Sequence, residues 1–328
     1  MHRSGSVTLV GRTNVGKSTF LNTALGEPLA IVSPRPQTTR DPLLGVVLWN
    51  EAEIAMVDCP GFHRPRNELG VRMNTVAMDR LAHSDLVLLF TDIEPLIRSV
   101  PGKAKPAPVN VSRTYGEELK LLASVPDGIP RILVVNKVDK LSDKRMLLPL
   151  LSAFGEACPS VTLVPASCLF RNDVEHVLDL IAPLLPLGPH RFEPDTLTDR
   201  PVRYFAAEYI REQVMLATSG EVPFAIAVTL DEFSELPSVT IVKATLCVEK
   251  DGQRIILIGR GGQMIREIGI ASRSRIEGLL KKKVHLELFV KTRKYWRNNK
   301  AALEDLGYGG SSSDPLTRNI QNPNRGDR

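Results

Sequence analysis

Gly11-Arg12-Thr13-Asn14-Val15-Gly16-Lys17-Ser18 follows a short apolar run, Val7 to Val10, and leads into Thr19-Phe20-Leu21-Asn22. The spacing is G-x-x-x-x-G-K-[ST] between a strand and the first turn of a helix, the context in which a phosphate-binding loop operates. Gly11 and Gly16 let the backbone curl until the N–H groups of the loop, with Asn14 and Val15 between the glycines and Thr19 just beyond, point inward at a helix N-terminus and hold α- and β-phosphates. Lys17 is placed to reach the β- and γ-phosphates, and the Ser18 hydroxyl can take one Mg²⁺ coordination position.

A domain's length downstream, the apolar strand Arg131 to Val135 delivers Asn136-Lys137-Val138-Asp139. Open α/β sheets bind ligands at the carboxyl ends of their strands. The Asp139 carboxylate can accept from both the ring N1–H and the exocyclic amine of guanine, a pair of donors that adenine lacks. In register with the phosphate loop, the box specifies GTP and GDP.

Between the two lies Asp58-Cys59-Pro60-Gly61, after the strand Glu53 to Val57. Asp58 is expected to hold Mg²⁺ through water, and the Gly61 N–H to meet the γ-phosphate, whose loss would free the loop that follows. Gln37-Thr38-Thr39-Arg40 sits in the proline-rich stretch Ser33 to Pro42. One of its two threonines should complete the Mg²⁺ shell, Thr39 being favoured, so the metal set is Ser18, Thr39 and Asp58 and the catalytic set Lys17, Thr39 and Gly61. Phe62 stands where many small GTPases carry the glutamine that orients the attacking water. Hydrolysis must then draw on another group, a partner or a bound K⁺, and the intrinsic rate should be slow.

The chain has 328 residues, 43% hydrophobic and 24% charged, with a net charge of +5. These are ordinary globular values that exclude general disorder and fit two domains. No apolar run approaches a membrane span, and with the first strand near residue 7 no leader is expected and cytoplasmic residence is. The cysteines, 59, 158, 168 and 247, have no C-x-x-C spacing, so neither zinc nor a disulfide framework is suggested. Residues 1–182 alternate strand and helix patterns, with an apparent exposed insertion near 94–116. The segment 183–201, with prolines at 183, 186, 189, 194 and 201, is expected to be a linker; 202–308 forms a second domain and 309–328 a disordered tail.

In the second domain, Gly259-Arg260-Gly261-Gly262 separates Arg254 to Ile258, expected as a strand, from the helical stretch Gln263 to Leu280. A G-x-x-G loop of this kind is the clamp by which KH domains hold a nucleic-acid backbone. Arg260, Arg266, Lys281 and Lys282 belong to a run of basic residues that extends to Lys300, an electrostatic footprint for a polyanion; RNA is favoured over DNA because KH clamps take single strands. Tyr295 and Trp296 either stack bases or pack into the core.

These residues resemble the Era family of GTPases, an N-terminal Ras-like P-loop NTPase domain (three-layer α/β) followed by an α+β type II KH RNA-binding domain. The resemblance runs from Val7 to Tyr308. It includes Pro36-Gln37-Thr38-Thr39-Arg40, Gly61-Phe62-His63-Arg64-Pro65, Thr198-Asp199-Arg200-Pro201, Ile210-Arg211-Glu212, Ile268-Gly269-Ile270 and Val284-His285-Leu286-Glu287-Leu288. It implies binding to the 3′ end of small-subunit ribosomal RNA, a role in late maturation of the small ribosomal subunit, peripheral contact with the inner membrane and a monomer. It also implies that Ser167 and Cys168 form the last guanine-contacting loop, with Cys168 where the family has alanine. Asp41-Pro42 departs from the residues usual after Thr-Thr-Arg. Two rivals remain: a nucleotide kinase or ATPase, which Asn136-Lys137-Asp139 opposes, and a membrane or tRNA-modification GTPase, which the basic G-x-x-G region opposes.

Overall fold

Strand β1 (Arg3–Gly11) extends well before the apolar run, because its polar positions find partners inside the protein. The Ser4 hydroxyl donates to Glu53 Oε1 at 2.8 Å, and Ser6 donates through both its N–H and its hydroxyl to Asp85 Oδ2 at 2.7 and 2.9 Å. Satisfied in this way, a polar strand can be buried on both faces. The structure is a computed structural model that describes residues 2–99 and 109–308.

β1 lies inside a sheet of order β2-β3-β1-β4-β5-β6, built with β2 (Leu43–Trp49), β3 (Ala52–Asp58), β4 (Leu86–Asp92), β5 (Arg131–Asn136) and β6 (Thr162–Pro165). Only the β2–β3 pair is antiparallel. The register sets Leu9 opposite Asp58, Gly11 opposite Phe90 and Asp92 opposite Asn136, so the phosphate loop, Asp58 and the Asn136 turn all leave the sheet at one edge. Helices α1 (Lys17–Leu25) and α7 (Arg171–Ile181) cover one face; α2 (Glu68–Ala82), α5 (Gly116–Ala123) and α6 (Leu147–Ala157) cover the other. This is the expected three-layer arrangement.

The segment expected as an exposed insertion is partly built into the fold. It begins as helix α3 (Glu94–Ser99) and ends as α4 (Val111–Thr114), with Leu96, Val111 and Tyr115 buried and the Tyr115 ring 5.1 Å from that of Phe154. Its helical turns are too short to show a period in the sequence. Residues 100–108, and the tail expected to be disordered, lie outside the described residues.

Residues 183–201 lie along the first sheet. The Ser4 N–H donates to the Pro186 carbonyl at 3.1 Å, the Val46 N–H to Leu197 at 2.9 Å, and the Arg191 N–H to Glu53 Oε1 at 2.7 Å. The Val46 bond caps part of the edge strand β2, an edge that would otherwise invite pairing with another chain.

Helix α8 (Val202–Ala217) then starts the second unit, followed by the turn α9 (Val222–Ala225), β7 (Ala227–Glu235), β8 (Val239–Val248), α10 (Asp251–Ile258), α11 (Gln263–Leu280), β9 (Lys283–Thr292) and α12 (Lys300–Asp305). β8 is central, antiparallel to β7 and parallel to β9. One expectation is corrected: Arg254–Ile258 is helical, so the G-x-x-G loop joins two helices. The β-branched run reads as a strand, yet only Gln253 and Leu257, one helical turn apart, face the core, while Ile255 and Ile256 are 67% and 51% exposed. Gln253 Oε1 accepts from the Glu249 and Lys250 N–H groups at 3.0 Å each, which starts the helix, and Gly259 at φ 73° ends it. The run Pro223 to Leu230 also reads as a strand, but the strand β7 starts only at Ala227.

The two units share a core. Leu29, Ala30 and Ile31 of the first belong to the same buried cluster as Phe205, Tyr209 and Ile210 of α8. Leu69 and Met73 of α2 pack with Trp296, Leu303 and Tyr308 near the C-terminal end of the described chain.

Candidate nucleotide cleft and nucleic-acid loop

A cleft of about 520 Å³ opens at the carboxyl edge of the large sheet and is lined by the phosphate loop, Thr39, Gly61, the Asn136–Lys140 turn and Ser167 to Leu169. Gly16 has φ 106°, and a Cβ there would fall 2.0 Å from Asn136 Nδ2, so only glycine lets the two motifs meet. Asn136 pins them together: its Nδ2 donates to the Val15 carbonyl at 2.7 Å, and its Oδ1 accepts from the Cys168 N–H at 2.9 Å. The Ser167 N–H donates to Asp173 Oδ2 at 2.7 Å. The loop implied to contact guanine is thus fastened by Asn136 and Asp173, and the exposed Leu169, which sequence reasoning missed, joins it on the cleft wall.

The Lys17 ammonium is buried and donates to the carbonyls of Arg12 at 3.0 Å and Gly11 at 3.4 Å. Burial lowers its pKa, with the Asp58 carboxylate acting the other way, while burial raises the pKa of Asp58 against the pull of Lys17, Ser18 and Thr39. Ser18 Oγ stands 2.6 Å from Asp58 Oδ2 and 3.0 Å from Thr39 Oγ1, which is 3.2 Å from the same carboxylate oxygen. Thr38 lies elsewhere, its hydroxyl donating to the Arg35 carbonyl at 2.7 Å.

Asp58 Oδ1 is buried with no hydrogen-bond partner in the protein. Two hydroxyls and a carboxylate with an orphaned oxygen form an all-oxygen donor set that suits a hard cation such as Mg²⁺, whose remaining positions phosphate and water would fill.

Gly61 lies against the phosphate loop, where a Cβ would come within 2.7 Å of Thr13 Cα. The Phe62 N–H donates to the Gly11 carbonyl at 3.0 Å, and the ring packs against the core between the sheet and α2, α5 and α6. Phe62 is therefore a packing residue as well as one unable to orient water.

At the base end, Asp139 is exposed on the rim. Sequence reasoning missed Glu94, Arg98 and Lys140, which line the cleft with it, and Asp92, which pairs with Lys137. Asp92 carried a signal, since it ends an apolar strand at the ligand-binding edge; Glu94 and Arg98 belong to the segment taken for an insertion.

In the second unit, Gly259, Gly261 and Gly262 have φ of 73°, 55° and 79°. A Cβ on Gly259 would meet Met264 Cβ at 2.7 Å, whereas Gly261 and Gly262 face open space beside the exposed Arg260 and Arg266. The basic run divides in two. Lys281 is exposed, but Lys282 donates to the Leu236 carbonyl, Arg275 lies over the Tyr209 ring at 4.6 Å, Arg293 pairs with Asp305 at 2.7 Å and Arg297 with Glu249. Trp296 is fully buried and Tyr295 is 74% exposed, so of the two aromatics only Tyr295 offers a face to a base.

A P-loop sheet with a guanine-type turn, joined to a KH unit, defines a two-domain GTPase of the nucleic-acid-binding kind. Family models agree: residues 6–137 match the 50S ribosome-binding GTPase model and residues 221–297 the KH domain model. The chain is 39% identical to GTPase Era of Xylella fastidiosa (strain M12), over 94% of this chain and 98% of that one, and 41% identical to GTPase Era of Geobacter metallireducens, over 93% and 98%. The crystal structure of Era in complex with MgGDPNP and nucleotides 1506–1542 of 16S ribosomal RNA superposes with a TM-score of 0.85 at 33% identity, covering 94% of this chain and all of that one. A variant of Aquifex aeolicus Era bound to GDP and AlF4⁻ gives 0.83, also at 33% identity. The chain belongs to the Era family of GTPases.

Replacing Lys17 by alanine is expected to weaken GDP and GTP binding by about a hundredfold or more, in line with the loss of a charge-assisted contact whose partner charge stays buried. Isothermal titration checks this, and unchanged affinity would remove Lys17 from the phosphate site.

Proposed function

We propose that this GTPase is a nucleotide-controlled RNA-binding switch, which binds small-subunit ribosomal RNA near its 3′ end and assists maturation of the small ribosomal subunit in the cytoplasm. The observation that carries the reading is that segment 33–42 touches both halves of the molecule. Thr39 stands with Ser18 and Asp58, while the next residue, Arg40, is buried in the second unit. Its guanidinium donates to the carbonyls of Ile226 and, at 3.2 Å, Phe224, and to the Tyr308 hydroxyl at 3.0 Å. It lies 5.9 and 5.8 Å from the centres of the stacked Trp296 and Tyr308 rings. On the other side, Arg211 of α8 donates to the Thr38 carbonyl and pairs with Glu208. Asp41, the departure from the family pattern, is pushed up to about 6 by burial and by Glu208, with Arg200, Arg211 and Arg40 pulling it down. A shift of Thr39 with nucleotide state is thereby passed to the elements that carry the G-x-x-G loop.

In this reading Lys17 and the loop N–H groups hold the phosphates, the Gly61 N–H meets the γ-phosphate, and Ser18, Thr39 and Asp58 hold Mg²⁺, which when bound neutralises charge on the β- and γ-oxygens. Asp139 reads guanine beside Asn136, Lys137 and the Ser167–Cys168 loop. Gly259 to Gly262, Arg260, Arg266, Lys281 and Lys282 contact RNA, Lys282 by releasing its bond to Leu236. The choice of RNA is supported by the related Era crystallised with a segment of 16S ribosomal RNA. Among the described residues no helix is long and apolar enough to cross a membrane.

With Phe62 in place of a water-orienting side chain, turnover of the isolated protein is expected below ~1 s⁻¹, the range of switches rather than efficient enzymes. Phosphate release measured with and without K⁺ checks this, and a faster rate in Na⁺ alone would contradict it. The function itself is tested by crosslinking the protein to RNA in lysate, loaded with a non-hydrolysable GTP analogue or with GDP, and sequencing the bound RNA. Enrichment of the small-subunit ribosomal RNA 3′ end with the analogue alone supports the switch; equal recovery of scattered RNA in both states overturns it.

A further inference from the structure

Lys137 is a non-glycine residue held at φ 64°, in the left-handed region. That conformation costs a long side chain about 1–2 kcal/mol, and such residues persist where their surroundings fix them. Here the fixing groups come from the start of the segment that looked like an insertion. The Lys137 ammonium is 2.5 Å from Asp92 Oδ2 and 3.0 Å from Glu94 Oε1, and the same Glu94 oxygen takes Lys140 at 2.7 Å. Glu94 is itself oriented, because its N–H donates to Asp92 Oδ1 at 3.0 Å and the Ile93 N–H donates to the Asn136 carbonyl at 3.2 Å. One carboxylate thus ties the residues two before and one after Asp139, and it lies on the cleft wall with them.

We propose that Glu94 is a positioning residue for guanine recognition: by holding Lys137 and Lys140 it fixes the turn that aims the Asp139 carboxylate at the base, an inference that rests on Asp139 being the guanine acceptor. Hydrogen bonds from Lys140 and then Lys137 hold the Glu94 carboxyl down at about 2, so the clamp keeps its charge throughout the neutral range. The effect falls on the base and not on the phosphates, since Glu94 is tied to the Asp139 turn, and among the described residues its side chain bonds only Arg98, Lys137 and Lys140.

The test compares GDP, IDP and ADP affinities for the full chain, Glu94→Gln, Lys140→Gln and the double variant. Inosine lacks the exocyclic amine, so the GDP-to-IDP ratio reports how well the carboxylate meets that donor. Glu94→Gln is expected to weaken GDP about tenfold and IDP about twofold, a fivefold fall in the ratio, within the coupling range of residues in one charge network. The double variant should lose no more than Glu94→Gln alone. Equal losses for GDP and IDP would make Glu94 merely structural, and an unchanged ratio would likewise overturn the proposal. If Glu94→Gln does not fold, Lys140→Gln, at a half-exposed position, must still lower the ratio; an unchanged ratio there overturns it. Absence of any preference for GDP over ADP in the unaltered chain would overturn the guanine reading itself, together with the role of Glu94.

Discussion

Asp139→Asn is expected to convert the guanine site into one for xanthine, with GDP affinity falling by about a thousandfold and XDP affinity rising by a similar factor. A carboxylate offers two acceptors to the N1–H and amine of guanine, whereas an amide offers one acceptor and one donor, which matches the N1–H and 2-oxo group of xanthine. Sites built around such a pair discriminate by four or five powers of ten when a partner is missing, so about three is a moderate expectation. The substitution should leave the fold intact, because Asp139 is exposed on the cleft rim and isosteric with asparagine. Competition of GDP and XDP for a fluorescent nucleotide, with a melting curve as control, measures the swap. Retained guanine selectivity would place the base elsewhere in the cleft.

Gly261→Asp should separate the two halves of the molecule by function. A side chain at 261 has open space around it, and aspartate tolerates φ 55° better than most residues. The variant should therefore fold and bind GTP normally while placing a carboxylate where an RNA phosphate would lie. Affinity for a single-stranded RNA is expected to fall at least tenfold, with a shallower dependence on salt because fewer counterions are released. Gly259 is unsuited to the same test, since a Cβ there strikes Met264 and misfolding would confuse the result. Undiminished RNA affinity in the Gly261 variant would exclude the loop as the clamp.

The phosphate loop and the Asn136 turn were legible because each is a short run whose chemistry depends on adjacent residues, and each follows a strand that the apolar pattern marks. Ser18, Thr39 and Asp58 were legible for the same reason, and they do converge. Arg254 to Ile258 misled because β-branched residues suggest a strand, whereas two buried positions a turn apart and a capping glutamine decide for a helix. Glu94 was hidden by its context: a helix of six residues has too few turns to display a period, and its partners lie 43 and 46 residues away. The buried tryptophan could not be told from a stacking one, because what distinguishes them is Arg40, far away in the chain.

That pairing has a consequence for how the protein is made. The hydroxyl that holds Arg40 belongs to a residue 268 positions further along, and the rings that flank it come from the last stretch of the described chain. Synthesis runs from the N-terminus and domains fold as units on the way, at roughly 5–20 residues per second. For roughly 6 to 25 seconds at that rate, while residues 183–308 are added, a nascent chain can carry a folded nucleotide cleft whose Arg40 lacks its partners. Only when Trp296 and Tyr308 have been added can Arg40 leave water, so the coupling between cleft and RNA-binding unit is a property that the polypeptide acquires once synthesis has passed Tyr308.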